Sequence, residues 1–230
     1  MVNSFNNLFR TKHRINIPPV TVIGLGRFGS ALAQELIDNG VEVQGIDEHE
    51  KVIAEHSAVL TEAAMADTTD IEALKQLGVH DVDRVVLAIG SDLEASILTA
   101  SHLVEMGIPD IWAKADSTAH ARILTQLGVH HVVHPERDTG RRVAHLLGGK
   151  FQDFAVFDKN YGMIKMAPPS SLCSREIDAE RLWNQHHVAI VSVHTKDGGW
   201  APFLPHHPLS TEDLIIVAGN PENLEKFSEI

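Results

Sequence analysis

The sequence predicts an α/β protein: a Rossmann-like doubly wound parallel sheet followed by a smaller α+β domain. Three observations carry that expectation. Residues 21–40, TVIGLGRFGSALAQELIDNG, read as a buried strand, a tight glycine turn and a helix. From Val20 to about Gly148, short apolar runs of β type alternate with stretches of helical period, the pattern of parallel strands joined by crossover helices. From Phe151 onward the runs shorten and the turns multiply, which marks a change of architecture.

Taken in order, the strands expected in the first domain are VTVIG, VEVQGID, AVLTEA, DRVVLAIG, DIWAKAD and HHVVHP, each followed by a helix-period segment or a helix-opening residue. Ser91 or Asp92 is placed to cap the helix DLEASILTASHLVEMG, and Gly107 and Pro109 to stop it. In the second domain, FAVFDKNYGMIKM reads as two strands about a turn and VAIVSVHTKDGGWAPFLP as a hairpin closed around Gly198 and Gly199. A short helix at IDAERLW and a closing segment DLIIVAGNPENLEKF complete it. The expected organisation is an N-terminal extension over 1–19, a nucleotide-binding domain over 20–149 and an α+β domain over 150–230, with no low-complexity linker and no internal repeat.

Composition narrows the function. The 230 residues are 43% hydrophobic, enough for one large core or two smaller ones. A formal net charge of −12 argues against a sequence-independent grip on nucleic acid, which needs a basic face to neutralise phosphates. Cys173 is the single cysteine, so no intramolecular disulfide forms and a reducing, cytoplasmic setting is favoured. No apolar run approaches the roughly 18 residues that span a bilayer. The first residues carry Arg10, Lys12 and Arg14 but lack the apolar centre of a signal peptide, and read as an extension before the first strand.

The candidate site starts at the glycine turn. Gly24 permits the tight turn, Gly26 lets backbone approach a phosphate, and Gly29 lets the helix pack on the strand. Asp47 closes the second strand, about 20 residues on, where a carboxylate accepts ribose hydroxyls and repels the 2′-phosphate of NADP. The candidate ligands are therefore ATP or ADP, or NAD(H). Arg27 and Phe28 fill the variable places of the turn, and a guanidinium there suggests more phosphate charge than a pyrophosphate carries. Asp67 and Gly90 fall at strand ends on the adenosine side, with Glu48, Thr68 and Ile89 beside them. For Asp67, an N-cap or a solvated turn is an equal alternative.

These residues resemble a known family. VIGLGRFG, GID with Asp47, AIG, IWAKA and LGVHHVVHPERDTGRRVA are similar to the regulator-of-potassium-conductance domains of the Ktr and Trk potassium uptake systems. The step from Pro205 through Leu209 to Asp213 and into DLIIVAG is similar, more loosely, to their smaller C-terminal domain. The resemblance implies a cytosolic subunit at the inner face of the membrane, paired as a homodimer within an octameric ring, that binds nucleotide and gates a separate membrane potassium channel subunit. It implies that Arg27 meets the terminal phosphate. It implies too that Glu136 approaches the phosphates across a dimer interface and helps hold Mg²⁺ or Ca²⁺, with Lys114 near that shared site. Some relatives bind a cyclic dinucleotide in the C-terminal domain, a ligand left open here.

The function expected is sensing without turnover. The alternatives are an NAD(H) sensor and an NAD-dependent oxidoreductase, the latter disfavoured because about 80 residues of short strands supply no obvious acid/base residue. Fifteen histidines include His130, His131 and His134 close together, and His186, His187, His206 and His207. A zinc site is the sharper reading and surface histidines the favoured one, because HHVVH in a strand points its imidazoles to opposite faces. Ser170, Ser171 and Cys173 lie in a Pro-rich turn with no base assigned to them, so nucleophilic catalysis is not expected.

Overall fold

The computed structural model describes residues 16–148, 150–196, 198–205 and 208–230. Most of the expected N-terminal extension, the boundary residue Gly149, and His206 and His207 lie outside the described residues. The chain divides into two compact units between Glu136 and Arg137.

The first unit is built on strands β1 (Val20–Ile23), β2 (Val43–Asp47), β3 (Glu62–Met65), β4 (Arg84–Leu87), β5 (Asp110–Lys114) and β6 (His131–Val133). They pair in the order β3-β2-β1-β4-β5-β6, and every pairing is parallel. Between them run α1 (Arg27–Asp38), α2 (Glu50–His56), α3 (Ile71–Gln76), α4 (Leu93–Glu105) and α5 (Thr118–Leu127), and α6 (Pro135–Leu147) follows β6. Alternation along the strands feeds two cores. In β4, Val85 and Leu87 enter one cluster with Leu74, Leu103, Ile111 and Leu124, while Val86 enters the other with Val22, Leu36 and Leu60. A sheet buried on both faces is what the near-continuous apolar runs of the sequence require.

Helix ends follow their local chemistry. Asp92 caps α4 by accepting the Ala95 N–H at 2.9 Å, and Gly107 takes the left-handed conformation just beyond that helix, with φ of 72°. Ser117 caps α5 through the His120 N–H, at 3.0 Å. The third strand begins later than AVLTEA suggests. Residues after α2 turn so that Leu60 enters the core and Thr61 Oγ1 accepts the Val43 N–H at 3.0 Å, and ladder pairing starts only where Gln44 meets Glu62.

The second unit holds an antiparallel sheet of β7 (Asp153–Asp158), β8 (Tyr161–Met166), β9 (Val188–His194), β10 (Trp200–Pro202) and β11 (Leu214–Gly219), in the order β10-β9-β11-β8-β7. Helices α7 (Ala179–His186) and α8 (Pro221–Phe227) complete it, with Ile164, Leu182, Ile215, Leu224 and Phe227 in its core. Both expected hairpins and the short helix are present. The division between the units falls earlier than residue 149, because α6 carries Leu146 into the second core and its body belongs with that unit.

Candidate functional site

Strand order reverses between β1 and β4, and in such sheets the crevice outside the carboxyl ends of the strands at that point takes ligands. A cleft of about 680 Å³ lies there. Every candidate residue from the sequence lines it except Gly29: Gly24, Gly26, Arg27, Phe28, Asp47, Glu48, Asp67, Thr68, Ile89, Gly90, Lys114 and Glu136. Residues scattered over more than a hundred positions of sequence converge because each follows the end of a parallel strand.

The glycine turn is built by exclusion. Gly24 has φ of +88°, which an L side chain rarely adopts, and its N–H donates to the Ile46 carbonyl at 2.8 Å. A Cβ on Gly29 would collide with the Gly24 carbonyl, so Gly29 stands behind the cleft and closes the helix onto the turn. A Cβ on Gly26 would meet no protein atom within 4 Å. Gly26 is the point at which backbone faces open space, as close approach to a phosphate demands. Arg27 opens α1 directly after it, at the helix N-terminus where unpaired N–H groups favour an anion.

At the other end, Asp47 is held by three donors. Its Oδ2 accepts the Leu25 N–H at 2.8 Å, and its Oδ1 accepts both the His49 N–H and His49 Nδ1–H, each at 3.0 Å. A carboxylate only accepts, so the His49 proton is on Nδ1. His49 lines the cleft and was absent from the sequence reading. Asp67 resolves as a turn residue: its Oδ1 accepts the Thr69 hydroxyl at 2.6 Å and the Thr69 N–H at 2.9 Å, and these bonds hold its carboxyl below the usual range. The N-cap of α3 is Asp70 instead.

Lys114 sits between two carboxylates, 2.9 Å from Glu136 and 3.2 Å from Asp116. Burial works to lower the Lys114 ammonium, and the hydrogen bonds to Glu136 and Asp116 more than offset it, so it is held above the ordinary lysine range. The same bond from Lys114 lowers Glu136, with a further contribution from the positive charge of Arg27. Gly90 lies against this cluster. A Cβ there would lie 2.6 Å from Lys114 Nζ and 2.8 Å from Asp116 Oδ1, so a side chain at this position would turn the ends of both side chains aside.

Behind the cleft, α4 presents a polar stripe of Ser96, Thr99 and His102 that sequence reading missed. Thr99 Oγ1 bonds Thr68 Oγ1 at 2.9 Å, and His102 Nε2 donates to the Thr69 carbonyl at 2.9 Å, so consecutive residues of the β3–α3 loop are tied to one helix. Ser96 Oγ lies 3.2 Å from His120 Nε2 on α5, and His120 Nδ1 accepts the Asp116 N–H at 3.5 Å. The signal was present as Ser, Thr and His at i, i+3 and i+6 of an otherwise apolar helix.

The three clustered histidines disperse. His130 Nδ1 accepts the Ile111 N–H, His131 stacks on Trp112 at 4.1 Å, and His134 Nδ1 bonds the Ala115 carbonyl. Among the described residues no group of three His, Cys, Asp or Glu side chains is placed to hold a metal ion. Burial raises the Cys173 thiol above its ordinary value, which makes it a poor nucleophile.

The TrkA-N domain family matches residues 20–135. Ktr system potassium uptake protein C of Bacillus subtilis (strain 168) is 31% identical over 209 residues, which cover 90% of this chain and 95% of that protein. Ktr system potassium uptake protein A of Vibrio alginolyticus is 34% identical over 206 residues, 88% of this chain and 93% of that one. A solved structure of the GsuK channel bound to NAD has a similar fold, with a TM-score of 0.63 at 15% identity over 91% of this chain and only 38% of the channel chain. No helix among the described residues is long and apolar enough to cross a membrane.

Proposed function

This chain belongs to the TrkA-N domain family of potassium uptake proteins, and from that premise we propose that it is a cytosolic regulatory subunit that binds ATP or ADP and gates a separate membrane channel subunit of Ktr or Trk type. The observation that carries the ligand is the position of Arg27 in the glycine turn, on one cleft with Lys114 and Glu136 at one end and Asp47 at the other. Asp47 serves the ribose, Gly26 and the α1 N-terminus the inner phosphates, and Arg27 the terminal one. A γ-phosphate adds charge that a guanidinium meets directly, so ATP and ADP differ in their contacts and shift a conformational equilibrium by that difference.

The lining favours a cation beside the phosphates. Six carboxylates, Asp47, Glu48, Asp67, Asp92, Asp116 and Glu136, stand against only Arg27 and Lys114. A polyphosphate there brings further negative charge, which Mg²⁺ or Ca²⁺ relieves by bridging Glu136 and phosphate oxygens. In this reading the subunit pairs as a homodimer within an octameric ring at the inner face of the membrane, Glu136 acts across the dimer interface, and the ligand is sensed without turnover.

A second reading, an NAD(H) sensor, draws on the likeness in fold to the GsuK channel bound to NAD and on Asp47, which suits the adenosine ribose of NAD equally. Calorimetric titration with ATP, ADP and NADH, with and without Mg²⁺ or Ca²⁺, separates the two. ATP and ADP bind in the expected outcome, and Arg27→Ala weakens ATP about tenfold more than ADP. Binding of NADH with only weak competition by ATP and ADP overturns the choice of ligand.

A further inference from the structure

The carboxylate that the ribose requires is already in use. We propose that His49 sets the strength of ribonucleotide binding: its imidazole occupies the Asp47 oxygen that a ribose diol needs and must release it when the ligand enters. The inference rests on the reading of Asp47 as the ribose carboxylate.

The argument is a count of acceptor sites. Each carboxylate oxygen offers two. Asp47 Oδ2 has one filled by the Leu25 N–H and one open, whereas Oδ1 has both filled, by the His49 N–H and by His49 Nδ1–H. A vicinal diol that donates to both oxygens needs an open site on each, so one bond at Oδ1 has to break. The backbone bond spans only two residues and belongs to the turn that leads into α2, so losing it would move the turn. The ring bond is the one that yields. The His49 side chain is 67% exposed, and Glu48 Oε1, 3.8 Å from the same Nδ1, is an acceptor it can turn to. Among the described residues, Asp47 and Glu48 are the charged groups within 4 Å of the ring nitrogen.

The exchange makes ribose binding weaker than an unobstructed carboxylate would give. A nucleotide lacking both hydroxyls displaces nothing and is indifferent to His49. For a sensor this matters, because a ligand held too tightly by its common adenosine half cannot be exchanged for another that differs only in its phosphates.

The test is calorimetry on the full chain with ATP, ADP and 2′,3′-dideoxy-ATP, using the wild type, His49→Ala and His49→Gln, with circular dichroism as a check of folding. Because the ring is exposed, removing it leaves the core intact. His49→Ala is expected to bind ATP and ADP about two- to fivefold tighter, the range of an exposed ion-pair contact, with dideoxy-ATP unchanged and His49→Gln, which keeps a donor, close to wild type. An equal change for ATP and dideoxy-ATP, no change for either, or weaker ATP binding in His49→Ala overturns the proposal. Asp47→Ala separates the two levels: if it weakens ATP while His49→Ala has no effect, only this inference fails. If Asp47→Ala leaves ATP binding intact, the ribose reading fails and takes this inference with it.

Discussion

His120 Nε2 lies 3.2 Å from Ser96 Oγ, with both side chains closed off from water. Because His120 Nδ1 accepts the Asp116 N–H, the ring proton is on Nε2 and Ser96 accepts it. Burial is the main influence on this imidazole and lowers its pKa below the ordinary 6.5, against the attraction of Asp116 and with the repulsion of His134. Below that value the unfolded chain takes up a proton that the folded chain refuses, so this group's contribution to stability is present above pH 6.5 and is lost as pH falls through the window beneath it. Denaturant melts at a series of pH values from neutral to mildly acidic should show a shallower acid loss in His120→Gln than in the wild type. Parallel curves would remove His120 from the account.

Gly26 and Gly90 should separate binding from stability. Gly26→Ala adds a methyl that touches no protein atom, in a backbone conformation with φ of −66° that alanine accepts, so unfolding free energy stays within about 0.5 kcal/mol of wild type. Nucleotide binding should nevertheless fall sharply, because the methyl takes the space a phosphate needs. Thermal melts beside calorimetry on the same sample check both halves.

Gly90→Ala should act on binding through side chains instead. Its methyl pushes aside only the ends of two flexible side chains, Lys114 Nζ and the Asp116 carboxylate, so stability stays within about 1 kcal/mol of wild type while nucleotide affinity falls as Lys114 leaves its place. A loss above about 2 kcal/mol would mean that the Lys114–Asp116 pair has no room to move.

Glu136→Gln tests the cation. The Glu136 carboxyl is lowered chiefly by the Lys114 hydrogen bond, so it is ionised at neutral pH and available to a metal. In the variant, the gain in ATP affinity on adding Mg²⁺ or Ca²⁺ should shrink markedly, whereas binding in the presence of chelator should strengthen somewhat, because one carboxylate fewer faces the phosphates. An undiminished cation effect would place the metal elsewhere.

In the second unit, Phe227 is fully buried three residues from the C-terminus. Phe227→Ala should cost about 3–5 kcal/mol of that unit's stability, read by calorimetric unfolding. A cost under 1 kcal/mol would show that the terminal helix α8 frays in solution.

What the sequence disclosed was set by chain distance. The glycine turn and the Asp92 cap are patterns in which a residue acts on neighbours a few positions away, and Asp47, whose Leu25 partner is 22 residues distant, was legible from its place at the end of the strand after the turn helix. The α4 stripe was hidden because Ser96, Thr99 and His102 bond to partners 24 to 33 residues away, and an isolated Ser or Thr in a helix carries no sign of its partner. The β3 boundary moved because in the apolar run AVL only Leu60 packs, and it does so from a turn, while Ala58 and Val59 stay exposed. Gly90 was read by its strand rather than by the side chains above it, and Lys114 takes the room it leaves.

The convergence of strand ends on one cleft also bears on how this chain is made. A fragment that stops short of β5 contains the whole glycine fingerprint and Asp47 yet lacks Lys114, so the motif is translated before the cleft has its far side. Once β5 is in place, a nucleotide that touches both Gly26 and Lys114 binds only the finished sheet. At about a hundred times its dissociation constant such a ligand stabilises the fold by roughly 2.7 kcal/mol. On the proposed function, the nucleotide being sensed would then also stabilise newly synthesised chains, and cells starved of it would hold fewer intact copies as well as fewer occupied ones.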